Sequence, residues 1–293
     1  MHSDLRDLAE GISNCGYIAD EGLLTNLWLM QELGRPLLLE GDAGVGKTQL
    51  GKTMAEVLSR PLIRLQCYEG LDINTAVYEW NYQRQLISIR RSEASNDAEA
   101  LNEADLFSDA YLLKRPLLQA ISSDDPVVLI IDEIDRADEE FEAFLLELLS
   151  DFQISIPELG TVVAKSHPVV ILTSNGTREL SDALRRRCLY HYIDYPGYDK
   201  ELAIVKARIP DVGDKLASQI VSFVQSIRRE DLRKIPGIAE TLDWTAALLR
   251  LDLKAIADNP DAVLATLGCL LKTREDHEAL PDVMVQKFLN RAP

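Results

Sequence analysis

Residues 37–50 read LLLEGDAGVGKTQL, and this stretch restricts the fold more than any other. Apolar residues make a buried strand, glycines then let the backbone turn where side chains forbid it, and a helix starts beyond. Gly41-Asp42-Ala43-Gly44-Val45-Gly46-Lys47-Thr48 satisfies G-x-x-x-x-G-K-[ST] in full. At average glycine usage a chance match in a chain this long is on the order of one in a hundred. The chemistry accounts for each residue type. Backbone N–H groups of a glycine-rich bend point inward at phosphate oxygens. A helix beginning near Lys47 brings the positive end of its dipole to the same point. Lys47 supplies a compact charge for the β- and γ-phosphates, and Thr48 a hydroxyl for Mg²⁺. Gly41 to Thr48, with Gln49, are therefore the expected nucleotide-binding residues, and ATP with Mg²⁺ the expected ligands.

The rest of the chain supplies a frame for that loop. Short, nearly continuous apolar runs occur at 36–40, 62–67, 127–132, 169–174 and 189–194, the pattern of strands covered on both faces. Helical patterns lie between them at 48–60, 141–152 and 177–186. Strands alternating with helices predict an α/β fold with a parallel sheet. After Tyr195-Pro196-Gly197 only helical periodicity remains, so residues 1–197 are expected to form the α/β domain and 198–293 an all-α domain. The segment 92–110 is the most polar stretch and reads as an exposed insertion.

Charge and composition narrow the function classes. The net charge of -17 lies almost wholly in residues 1–197, where 17 basic residues face 33 acidic ones, against 14 and 15 in 198–293. A protein that grips a duplex needs a basic face for phosphate contacts, so no nucleic-acid partner is expected. No apolar run approaches the ~18 residues that span a bilayer, and the acidic, polar N-terminus is unlike a signal peptide. The expected compartment is the cytoplasm. The four cysteines (Cys15, Cys67, Cys188, Cys269) form no C-x-x-C pair, and the four histidines lack metal-ligand spacing. They read as reduced thiols and structural imidazoles.

Two further segments carry chemistry. VVLIIDEID places Asp132 and Glu133 at the carboxyl end of a buried strand, where ligands of open α/β sheets bind. Asp132 would hold Mg²⁺ through water, and Glu133 would act as general base on the attacking water. VVILTSN ends in Thr173, Ser174 and Asn175. Asn175 either orients the lytic water or simply forms a turn before Gly176. In LSDALRRRC, Arg185, Arg186 and Arg187 either complement a helix dipole or reach a neighbouring subunit's γ-phosphate, with Arg186 and Arg187 the candidate catalytic arginines.

These elements, in this order, resemble the AAA+ ATPases. GDAGVGKTQLGKTMAE, IRLQCYEGLD, IDEIDRADEEFEAFLLELLSDFQISIPELGTV and LSDALRRRCLYHYIDYPG are similar to the CoxD-like branch of MoxR-type proteins, from about residue 15 to 197. The resemblance implies a P-loop core with a five-stranded parallel sheet and a C-terminal helical lid. It implies a homo-oligomeric ring, generally a hexamer, with ATP between subunits. It further implies a β-hairpin over 154–170 with Glu158-Leu159-Gly160-Thr161 as its turn. EWNYQRQLISI (79–89) resembles an insertion in the second helix, though spacing alone also suits an amphipathic surface segment. Related proteins remodel a protein substrate, commonly beside a von Willebrand factor A domain partner, and the CoxD-like branch is associated with maturation of molybdenum–copper carbon monoxide dehydrogenase. One departure stands out. Where relatives often carry a lid arginine, PGIAETLDW offers Glu240 and Thr241, with Arg233 and Lys234 just upstream.

Overall fold

A computed structural model describes residues 3–95 and 103–289. The strands are β1 (Leu37–Glu40), β2 (Leu62–Gln66), β3 (Tyr78–Trp80), β4 (Leu112–Lys114), β5 (Val128–Asp132), β6 (Gln153–Ile156), β7 (Gly160–Val163), β8 (Val169–Ser174) and β9 (Leu189–Tyr192). The helices are α1 (Ser3–Asn14), α2 (Glu21–Leu33), α3 (Lys47–Val57), α4 (Ile73–Ala76), α5 (Tyr82–Ser95), α6 (Glu103–Leu106), α7 (Pro116–Ser122), α8 (Glu139–Asp151), α9 (Asp182–Arg187), α10 (Tyr198–Arg208), α11 (Asp214–Ile227), α12 (Ile238–Arg250), α13 (Pro260–Thr266), α14 (Arg274–Ala279) and α15 (Asp282–Leu289). Two compact units result: residues 25–40 with 54–191, and residues 1–24, 41–53 and 192–293.

The first unit holds a five-stranded parallel sheet of order β2-β5-β8-β1-β9. The fold is thus α/β, as the alternation of patterns predicts. The expectation that every strand is covered on both faces holds only in the middle. Every residue of β5 and β8 is buried, whereas β2 alternates exposed and buried and β9 half-buried and exposed. Both lie at sheet edges, where one face meets less protein. Leu129, Ile131, Val170 and Leu172 from the sheet share one core with Leu118 and Ile121 on α7 and with Phe141, Leu145 and Leu148 on α8. Register brings Gln66 opposite Asp132 and Glu40 opposite Ser174, so the carboxyl ends of four strands finish along one edge.

Local chemistry sets the helix starts. The Asp138 carboxylate accepts from the Phe141 N–H and caps α8; the Ser181 hydroxyl accepts from the Leu184 N–H and caps α9. The second cap corrects the expected helix over 177–186. Thr177 is drawn into hydrogen bonds with Asp135 instead, and the helix starts only at Asp182. The hairpin before β8 is present as antiparallel β6 and β7. Its turn is shorter than expected, because Gly160 and Thr161 already pair with Ile156 and Ser155. Residues 79–89 begin in a strand and continue in a helix. Trp80 is buried in β3, which pairs with β4, and only from Tyr82 does the chain become helical. Residues 96–102 of the polar stretch lie outside the described residues.

In the second unit the described residues after Tyr192 form helices and no strand. Phe223 and Trp244 pack with ring centroids 4.9 Å apart and planes tilted by 34° within a core that includes Ile220, Val224, Leu248 and Val263. One ion pair there is internal. Glu201 and Arg228 are almost completely shielded, joined by both guanidinium Nη atoms at 2.7 Å, and Glu201 also accepts from Thr241 Oγ1 at 2.8 Å. Removing one member of such a pair strands the other charge, which costs about 3–5 kcal/mol. Arg228→Ala is therefore expected to lower unfolding free energy by that amount in urea titration, and a loss under about 1 kcal/mol would show the pair to be dispensable.

Candidate nucleotide site

β1 ends at Glu40, and the chain passes straight into Gly41–Gly46 before α3 begins at Lys47. The strand–loop–helix order that the motif requires is therefore present. Close approach dictates the glycines. A Cβ on Gly41 would lie 2.2 Å from the Ile193 carbonyl oxygen. Gly44 has φ +81°, and a Cβ there would meet Gly237 Cα at 3.2 Å and a Glu240 carboxylate oxygen at 3.1 Å. Lys47 is buried, and its Nζ donates to the carbonyls of Gly41 and Asp42 at 2.6 and 2.7 Å. Its ammonium thus sits in the bend of the loop. Thr48 and Gln49 are half-buried in the first turn of α3, Val45 is buried, and Asp42 and Ala43 are exposed.

The start of α12 rests on this loop. The Ile238 N–H donates to the Gly44 carbonyl at 3.0 Å, and the Glu240 carboxylate caps its own helix by accepting from the Gly237 N–H at 2.9 Å. The stretch where the resemblance expects a lid arginine thus carries this acidic cap. Arg233 faces Glu275 at 3.5 Å instead. Nearby, burial first and the charge of Asp42 second push the Tyr195 hydroxyl up to about 12.

At the carboxyl edge of the sheet the two acids are held by different partners. Asp132 is buried. Its Oδ1 accepts from Thr173 Oγ1 and its Oδ2 from Arg64 Nε at 3.0 Å and from Arg64 Nη2. Glu133 takes a left-handed conformation with φ +56°, its N–H donates to Thr173 Oγ1 at 2.9 Å, and its carboxylate pairs with Arg136 at 3.2 Å. One buried hydroxyl therefore ties the Asp132 carboxylate to the Glu133 backbone. Asn175 is fixed through its backbone, whose N–H donates to Asp135 Oδ1 at 3.2 Å. Burial alone would raise Asp135, but hydrogen bonds from Thr177 and from the Asn175 N–H outweigh it and hold the carboxyl below the usual range.

The three arginines of α9 separate in space. Arg185 faces Glu40 at 3.5 Å. Arg187 donates to Ser150 Oγ at 2.5 Å and to the Ala183 carbonyl at 3.0 Å. Arg186 is exposed, and its backbone carbonyl accepts from Arg35 Nη2 at 2.6 Å.

Thr48 and Asp132 each carry the kind of hard oxygen donor that magnesium prefers. Among the described residues no group of three or more His, Cys, Asp or Glu is arranged to hold a metal. Sequence reasoning missed Arg64, Asp135 and the double role of Thr173. Only Thr173 carried a signal, as a polar residue closing a buried strand.

Residues 36–188 match the AAA domain family in its dynein-related subfamily. The chain belongs to that family. As an AAA protein with this loop it is a P-loop ATPase. It is 27% identical over 279 residues to an uncharacterized protein of Staphylococcus aureus (strain USA300), covering 92% of this chain and 97% of the relative. It is 24% identical over 286 residues to another from Staphylococcus saprophyticus, covering 94% and 100%. Among solved structures, the AAA protein is similar to one point mutant of RuvB from Thermotoga maritima, with TM-score 0.52 and 19% identity over 91% of this chain and 72% of that one. A second RuvB point mutant from the same organism gives TM-score 0.50 and 18% identity, covering 96% and 72%. At such identities these structures show a shared fold alone. No helix among the described residues is long and apolar enough to cross a membrane.

Proposed function

We propose that this ATPase is a MoxR-type, CoxD-like remodelling chaperone that works on a protein partner. The buried Lys47 ammonium, held inside the glycine bend, is the observation that carries the nucleotide role. In this reading Gly41 to Gln49 bind the phosphates of ATP, Thr48 and Asp132 hold magnesium, Asp132 through water, and Glu133 draws the proton from the lytic water. Magnesium, when bound, offsets phosphate charge. Asn175 orients the water. Arg186 completes a neighbour's site, which makes a homo-oligomeric ring, generally hexameric, the working form. Residues 198–293 serve as its helical lid. The β6–β7 hairpin, standing between α8 and β8, supports the remodelling role, because it is the device that the resemblance assigns to substrate handling. A von Willebrand factor A domain protein is the proposed companion and a molybdenum hydroxylase the proposed client. The acidic balance of residues 1–197 favours a protein client over nucleic acid.

Lys47→Ala removes two or more charge-assisted contacts to phosphate, each about 1.5–3 kcal/mol. Nucleotide affinity is therefore expected to fall at least about hundredfold in equilibrium binding with a fluorescent ADP analogue. Affinity that stays within about threefold of the unsubstituted chain would remove the loop from the function. The client is tested with Glu133→Gln in ATP: a companion protein retained with ATP and released without it supports remodelling, and hydrolysis stimulated by DNA instead would replace that reading with a nucleic-acid motor.

A further inference from the structure

The Arg64–Asp132 pair joins a solvent-facing group to a buried one. Asp132 has a side chain only 3% exposed, whereas Arg64 is 44% exposed. Arg64 lies on the outward face of β2, two residues before Gln66, which stands opposite Asp132 in register. Its guanidinium reaches along that face, donates to Gln66 Oε1 at 2.5 Å and spans Asp132 Oδ2 with Nε and Nη2. Oδ1 is already engaged by Thr173. A carboxylate oxygen that accepts two guanidinium hydrogens has little capacity left for another donor. The buried carboxylate needs a counter-charge, and arginine supplies one through two N–H groups on a single oxygen.

We propose that Arg64 is the resident counter-ion of Asp132 and sets the metal dependence of nucleotide binding. Resting on the ATP reading above, Oδ2 is the atom that a magnesium-bound water would donate to, so Arg64 and the hydrated ion compete for it. The guanidinium holds the Asp132 carboxylate aligned before nucleotide arrives, and then leaves Oδ2 for solvent, towards which its side chain is already half open. Arg64 is thus a positioning residue. Its charge makes nucleotide capture require more magnesium than the loop alone would.

Linked binding events typically couple by about 5–150-fold. Removing the competing charge is therefore expected to lower the magnesium concentration for half-maximal tightening of nucleotide binding about tenfold. The full-length chain is titrated with Mg²⁺ in the presence of a fluorescent ADP analogue, for the unsubstituted protein, Arg64→Ala, Arg64→Gln and Arg64→Lys. Arg64→Gln keeps a hydrogen bond to Asp132 without charge and guards against a folding defect in Arg64→Ala. The proposal expects the midpoint to fall in Arg64→Gln and Arg64→Ala and to stay near the original in Arg64→Lys. A purely structural role would weaken binding equally in magnesium and in EDTA and leave the midpoint in place. An unchanged or higher midpoint in Arg64→Gln overturns the counter-ion role while the nucleotide site stands. If the unsubstituted chain binds no analogue at any magnesium concentration, the site reading falls and this inference with it.

Discussion

Arg186→Ala is expected to slow ATP turnover by about 10³–10⁵-fold, the range for an arginine delivered to a neighbouring subunit's phosphate, with little change in nucleotide affinity. The expectation comes from how α9 distributes its arginines. Arg185 is turned to Glu40, and Arg187 is tied to Ser150 and to the Ala183 carbonyl. Arg186 alone of the three is an exposed residue, while Arg35 donates to the backbone carbonyls of both Arg186 and Arg187 and braces the helix end. A charge presented from a fixed backbone is already oriented when the neighbour arrives, so the transition state does not bear the cost of ordering it. Steady-state hydrolysis of the assembled protein reads the effect. Mixing Arg186→Ala subunits with Lys47→Ala subunits separates the two halves of the site. Partial recovery places the arginine in trans, because the second subunit binds no nucleotide yet still presents Arg186. A larger loss in Arg187→Ala than in Arg186→Ala would move the role to Arg187 and refute the assignment by exposure.

Glu133→Gln is the second large effect, a loss of about 10²–10⁴-fold in hydrolysis, the usual contribution of a positioned general base, with ATP binding kept. The substitution preserves shape and removes the proton acceptor. The Glu133 backbone is held in a left-handed conformation by its N–H bond to Thr173, and the amide of glutamine leaves that anchor intact. Single-turnover hydrolysis against equilibrium ATP binding divides chemistry from capture. Turnover within about threefold of the original would take the base role from Glu133.

Much of this site could be read along the chain. The loop from Gly41 to Thr48 and the pair Asp132-Glu133 are contiguous motifs, and their flanking strands are rich in buried residues, so apolar runs announced them. The expected helix over 177–186 failed because its first residues answer to Asp135, a partner some forty positions earlier. The strand at 78–80 went unread because Trp80 pairs across to β4, more than thirty positions on. Local periodicity carries no signal for either.

The sequence by itself determined the phosphate loop, the two acids and the parallel α/β frame, since each depends on neighbours within a few residues: glycine freedom, strand burial and a helix start. Only the tertiary structure decided that Arg64 faces Asp132 across 68 positions, that Thr173 joins the Asp132 carboxylate to the Glu133 backbone, that the start of α12 lies on Gly44, and that Arg186 is the arginine left exposed. Those outcomes depend on the register between strands and on the packing of distant helices. Both are set by the summed burial of the whole core, which no short stretch of residues encodes.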